Sequence, residues 1–99
     1  MKNFINNVLT NSSGHDLIND YKTNIYFKNE VIEAYDNFET FCNILINHEN
    51  LPSYIHKEDI VNIKAESIRK ANFNSTYNSP SYDNKMMYFI YTFWCFIHH

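Results

Sequence analysis

Apolar residues recur with the period of an α-helix along most of the chain, and the clearest pattern lies in residues 27 to 47. At 100° per residue, its apolar side chains fall within one arc of about 140°, and polar side chains fill most of the opposite arc. Ile44 is the clear apolar exception on the polar side. The pattern predicts one amphipathic helix that buries Phe27, Val31, Ala34, Tyr35, Phe38, Phe41, Cys42, Leu45 and Ile46.

Three further segments show shorter or weaker helical patterns. Residues 2 to 11 and 15 to 22 each place their apolar side chains on one side, and a Ser-Ser-Gly sequence separates the two segments. Pro52 then favours extended backbone at the residue before it, so we expect a connection ahead of residue 57. Residues 57 to 72 predict a helix whose buried face, interrupted by Lys64, holds Ile60, Val61, Ala65, Ile68 and Ala71.

Residues 86 to 97 are almost entirely apolar, but twelve residues are too few to span a bilayer, which takes about 20. Their aromatic and β-branched side chains favour a strand, whereas their length and the lack of a partner strand other than residues 24 to 27 favour a central helix. We prefer the helix. The predicted fold is therefore mainly α, a single domain over residues 1–99 built as a small bundle of four to five helices, with a short C-terminal strand as the alternative.

Residues 72 to 85 contain Asn, Ser, Pro and Asp without any apolar period. This composition predicts a long surface loop. Long loops without internal structure are often functional, and tyrosine is a common contact residue in protein interfaces. Tyr77 and Tyr82 are therefore candidate partner-binding residues.

The formal net charge is −3, and it is unevenly distributed. Residues 1 to 50 hold seven acids and three bases, a net charge of −4, whereas residues 51 to 99 hold four acids and five bases, a net charge of +1. Proteins that bind nucleic acids usually neutralise phosphates with Lys and Arg, and this chain has one arginine. The balance argues against direct nucleic-acid binding and favours a basic partner.

The acids of the predicted helix 27 to 47 form a stripe on its outer face, with residues spaced by three, and two more acids lie upstream. Lys28 is the only base between Thr23 and Tyr54, so helical ion pairs do not balance these charges. A solvated helix face is the simpler explanation of the stripe. The functional interpretation is that it binds a basic protein through Asp16, Asp20, Glu30, Glu33, Asp36 and Glu39.

Several kinds of chemistry find no support in the sequence. Gly14 is the only glycine, so phosphate-binding and dinucleotide-binding loops are excluded. Cys42 and Cys95 lack the close spacing of a zinc or redox pair, and we expect both to be small buried side chains. His48 and His56 are not four residues apart on one helix face, as the HExxH motif requires. We therefore assign no catalytic residue, no cofactor and no metal, and without a secretion signal we expect a cytoplasmic protein.

These features are typical of a small protein inhibitor. The leading hypothesis is an immunity protein that neutralises a basic bacterial nuclease toxin, of the bacteriocin or contact-dependent growth inhibition type, and acts as a monomer. A first alternative is a phage or mobile-element protein that inhibits a host defence or transcription complex. A second is a small RNA-cleaving toxin that uses His15, His48 or His56, although an acidic surface would repel RNA.

Overall fold

The computed structural model describes residues 1–73 and 81–98, which contain six α-helices and no β-strand. The mainly α prediction and the preferred C-terminal helix are confirmed, and the alternative of a short C-terminal strand is not. The described residues form one helix more than the four to five predicted. The helices are α1 Lys2–Thr10, α2 Gly14–Thr23, α3 Ile25–Asp36, α4 Phe38–Ile46, α5 Lys57–Phe73 and α6 Tyr82–Ile97.

Helix α6 is the central element, and α1, α2, α3 and α5 all pack against it. Its N-terminus is capped by Ser81, whose hydroxyl oxygen accepts the backbone N–H of Asn84. The helix therefore begins four residues earlier than the predicted apolar run, which moves Tyr82 from the predicted loop into a helix. Tyr77 lies outside the described residues. In the described part of the chain, no helix combines the length and the apolarity needed to cross a bilayer.

The core is built around Phe4, which is fully buried. Its ring centroid lies 5.5 to 6.1 Å from those of Phe27, Phe41, Phe89 and Phe93. Edge-to-face and offset pairs of this kind contribute about 0.5 to 1.5 kcal/mol each beyond the area that they bury. The short helix α1 is thus held in place by aromatic side chains from α3, α4 and α6.

The predicted single helix 27 to 47 is a pair of helices that meet at Asn37, which adds the sixth helix. Asn37 has φ −114° and ψ 53°, and both its backbone N–H and its side-chain amide donate to the carbonyl oxygen of Glu33. Asparagine is favoured at such helix ends because its short amide can bond to the backbone. The break takes a single residue, so Phe41 and Leu45 on α4 are still fully buried, as predicted.

The buried face of α5 also differs from the predicted one. Val61 is 50% exposed, and Ala65 is exposed as well, whereas the sequence pattern assigned both to the core. Lys64 lies against α3 instead, where its Nζ donates to the carbonyl oxygen of Tyr35 at 2.9 Å. Ser67 is buried, and its hydroxyl donates to the carbonyl oxygen of Lys64, which offsets the cost of burying this polar group. The buried residues of the helix are Ile60, Ile63, Ser67 and Ala71.

Candidate protein-interaction surface

All six predicted partner-binding acids lie on α2, α3 and α4. Asp16 and Glu39 lie in the first turns of α2 and α4, where a carboxylate is favoured by the unpaired backbone N–H groups of the helix. Both are exposed, as are Glu33 and Asp36 on α3, while Asp20 is half-buried. These positions leave most of the predicted carboxylates available to a partner.

Glu30 differs from the other acids because the fold itself uses its carboxylate. The side chain is 21% exposed, and its Oε1 lies 2.9 Å from the Met1 ammonium group. The same oxygen accepts the backbone N–H groups of Asn3 and Phe4. Burial acts to raise the pKa of Glu30, but these contacts outweigh burial and lower the pKa. One of the four acids in the stripe is therefore paired within the molecule.

Asp36 and Tyr82 are brought together although they are 46 residues apart in the chain. The Tyr82 hydroxyl donates to Oδ1 of Asp36 at 3.0 Å, and the Tyr82 ring packs edge-on against Tyr35. Tyr82 stays 45% exposed. Burial, together with the hydrogen bond and charge of Asp36, raises the pKa of Tyr82 to about 12. We call Glu33, Asp36, Glu39 and Tyr82 the acidic surface.

Lys64 contacts the aromatic residues next to this surface. Its ammonium group lies 4.2 Å from the ring centroid of Tyr35 and 5.8 Å from that of Phe38, in addition to its hydrogen bond with the Tyr35 carbonyl. Cation–π contacts of this kind hold a charged group against aromatic rings. Lys64 thereby restrains Tyr35, and the ring of Tyr82 packs on that of Tyr35.

A groove of about 310 Å³ lies between α4 and α5 and adjoins the acidic surface through Glu39. Phe38, Cys42 and Val61 are its apolar residues, and Asn43 and Lys57 lie with Glu39 among its polar ones. Burial and Glu39 raise the pKa of the Cys42 thiol, although Lys57 opposes them. We call this cavity the α4–α5 groove. The sequence pattern missed it because the pattern assigned Phe38, Cys42 and Val61 to the core.

A second groove, of about 420 Å³, lies between α2 and α6. It is lined by His15 and Ile18 from α2 and by Tyr88, Tyr91 and other residues of α6. Tyr91 is 41% exposed, and its ring stacks on Trp94. We call this cavity the α2–α6 groove. It contains one of the histidines that the RNA-cleaving alternative requires.

The other histidines lie in separate surroundings. His48 Nε2 is 2.9 Å from Oδ1 of Asn6, and the backbone N–H of His56 donates to Asp59 at the start of α5. Among the residues that the structure describes, no three His, Cys, Asp or Glu side chains are grouped as metal ligands. Cys42 and Cys95 are both half-buried, and so more accessible than predicted.

The described residues form a small all-α bundle whose acidic surface presents exposed carboxylates and a hydrogen-bonded tyrosine. No protein-family model matches the chain, and comparisons with curated proteins and with solved structures find no match.

Proposed function

We propose that this protein is a non-enzymatic inhibitor that binds a basic protein through its acidic surface. In its concrete form the proposal is an immunity protein for a bacterial nuclease toxin of the bacteriocin or contact-dependent growth inhibition type. The observation that carries it is the exposure of Glu33, Asp36 and Glu39 without an ion pair to any base in residues 1–73 and 81–98.

The chemistry of a nuclease explains why such a surface would suit it. A nuclease active site is positively charged because it binds phosphates, and protein carboxylates can occupy the same positions. Exposed charges mainly accelerate encounter, whereas buried aromatic side chains supply much of the affinity. Tyr82 provides such a side chain, and its bond to Asp36 reduces the conformational entropy that binding would cost.

The test is affinity capture with the product of the neighbouring gene, or from the native host, followed by mass spectrometry and a salt titration. We expect a basic partner whose affinity falls steeply as the salt concentration rises. The double reversal Glu33→Lys and Asp36→Lys should weaken binding by at least about tenfold, which corresponds to about 1.4 kcal/mol. An acidic partner, or binding that ignores this reversal, would contradict the proposal.

A matched control is the single reversal Glu49→Lys, because Glu49 is exposed and lies beyond α4, outside the acidic surface. It changes the net charge by as much as Glu33→Lys does. We expect Glu33→Lys to reduce affinity far more than Glu49→Lys. Equal effects would mean that only the overall charge matters. Toxicity when the protein is expressed alone would instead favour the RNA-cleaving alternative.

A further inference from the structure

Val61 is an apolar residue of α5, yet half of its surface is exposed. It lines the α4–α5 groove and also an adjoining concavity of about 470 Å³, which Lys57, Glu58 and Asn62 complete. Exposed apolar area that lies inside a groove with a polar rim is typical of a binding site. The two concavities share Lys57 and Val61, and we call them together the trough.

We propose that the α4–α5 groove is the apolar centre of the partner interface and receives an apolar side chain carried on a basic segment of the partner. This inference rests on the proposed function and adds the chemistry of the bound segment. Interface hot spots are well-packed apolar pockets surrounded by polar contacts that exclude water. Phe38, Cys42 and Val61 would form the pocket, and the acidic surface would form part of its surroundings.

The charges around the trough favour a basic segment. Glu39 lines the groove itself, Glu58 lines the adjoining concavity, and Asp36 lies two residues before Phe38. Lys57 is the one base that lines either cavity. The two lining carboxylates outnumber the one lining ammonium group, and the ammonium group of Lys64 near Phe38 is already bonded to the Tyr35 carbonyl. The net negative charge, which the acidic surface continues through Glu39, attracts Lys and Arg on both sides of the inserted apolar side chain.

The size of the groove favours a side chain over a whole element. Its volume of about 310 Å³ is at the lower end of the range for concave ligand sites, roughly 300 to 1,000 Å³. The α2–α6 groove is larger, but none of its lining residues is a carboxylate. The α2–α6 groove therefore has no lining carboxylate to select a basic segment, and it serves as an internal control for apolar binding.

The experiment is an amide chemical-shift titration with a short amphipathic peptide of leucine and lysine as the probe. One control peptide replaces leucine with serine and keeps the charge, and the other replaces lysine with glutamate and keeps the apolar residues. We expect the leucine–lysine peptide to shift the amides of Cys42, Asn43 and Val61. Both control peptides should bind at least about tenfold more weakly.

Variants locate the contact. Val61→Asn should weaken binding of the probe by about tenfold without unfolding the protein, because the replaced side chain is half exposed. Tyr91→Asn in the α2–α6 groove is the matched control and should leave the affinity unchanged. Shifts confined to the α2–α6 groove would overturn the inference. Concentration-dependent shifts of these amides without peptide would assign the groove to a second copy and overturn it as well.

The failures of the two proposals can be distinguished. In one outcome, the affinity for the peptide falls with salt and with the Glu33→Lys, Asp36→Lys reversal, but the amides of the α4–α5 groove do not shift. The inference then fails, while binding by the acidic surface is supported. If the glutamate peptide binds the groove as well as the lysine peptide, apolar insertion occurs without charge selection. That result overturns the basic segment, while the basic partner is decided separately by affinity capture and the Glu33→Lys, Asp36→Lys reversal.

Discussion

The amino nitrogen of Met1 lies 2.9 Å from Oε1 of Glu30, and this oxygen also accepts the backbone N–H groups of Asn3 and Phe4. The first N–H groups of a helix have no partner within it, and Met1 supplies no side-chain cap to α1. A carboxylate from α3 takes that role. The contact anchors α1 beside Phe4, at the centre of the aromatic core.

Glu30→Gln should therefore destabilise the fold by about 1 to 3 kcal/mol at neutral pH, because it removes the charge from these hydrogen bonds. The pKa of Glu30 is lowered from its ordinary value of 4.5, so its contribution is present above that value and is lost as the pH falls through the lowered pKa. Urea unfolding at several pH values measures this. The difference between Glu30→Gln and the unmodified chain should shrink as the pH falls below 4.5.

The matched control for this prediction is Glu33→Gln, one turn further along α3. Glu33 is exposed, so its replacement should change the stability by less than about 0.5 kcal/mol. In partner binding the order should reverse, with Glu33→Gln weakening the complex more than Glu30→Gln. A large loss of stability from Glu33→Gln would mean that the two acids are not divided between fold and surface as described.

The Tyr82 hydroxyl gives a prediction at alkaline pH. Its pKa is raised from 10.0 to about 12, so its stabilising effect is complete below pH 10 and is lost as the pH rises through the raised pKa. Tyr82→Phe should cost about 0.5 to 1.5 kcal/mol at neutral pH because Asp36 loses its hydrogen-bond donor. It should also remove one late-titrating tyrosine from the ultraviolet absorbance curve.

Tyr26 provides the comparison, since it is 80% exposed. Tyr26→Phe should leave the stability unchanged. The late part of the absorbance curve has another contributor, Tyr21, whose pKa burial and the hydrogen bond to Asp83 raise well above 10. Loss of all late titration in Tyr82→Phe would contradict this assignment.

The positions of the helices could be predicted because periodicity is a local property of the sequence. The break at Asn37 could not be predicted from periodicity. Only one residue interrupts the helix, so the apolar side chains of α4 stay close to the arc that those of α3 occupy. A local signal was present: Asn37 precedes Phe38 and Glu39, and an asparagine followed by an acid in the first turn is typical of a helix start.

The site was less predictable because its key contacts are long-range. Glu30 looks like a surface acid until α1, 26 residues earlier, is placed beside it. Val61 looks like a core residue, but on this helix Lys64 lies against α3 through its hydrogen bond to Tyr35, 29 residues away, and Val61 is half exposed. Asp36 and Tyr82 were both candidates, but their hydrogen bond follows only from the packing of α6 against α3.

Phe38 and Phe41 test the packing on α4. Phe41 is fully buried, so Phe41→Ala should cost about 3 to 5 kcal/mol. Phe38 is half-buried at the α4–α5 groove, so Phe38→Ala should cost less, about 1 to 3 kcal/mol. Denaturant unfolding measures both. A larger cost for Phe38→Ala would mean that the groove is closed and that α4 is turned the other way.

Gly14 gives the last prediction, because a Cβ at this position would lie 3.3 Å from two ring atoms of Trp94. That ring cannot move easily, since its N–H donates to the carbonyl oxygen of Asn11 and its faces contact Tyr91 and His98. Gly14→Ala improves helix propensity by up to about 1 kcal/mol, but overpacking costs about 1 to 3 kcal/mol. We expect a net loss of about 1 kcal/mol.

The same substitution should change the fluorescence, because Trp94 is the only tryptophan of the chain. Its emission should shift in Gly14→Ala and not in the control Asn19→Ala, which alters an exposed position on α2. The control should change stability by less than about 0.5 kcal/mol. If Gly14→Ala were as stable as the unmodified chain, the contact between α2 and α6 would be looser than the structure shows. The α2–α6 groove would then be able to open, and it would no longer serve as a rigid control for the α4–α5 groove.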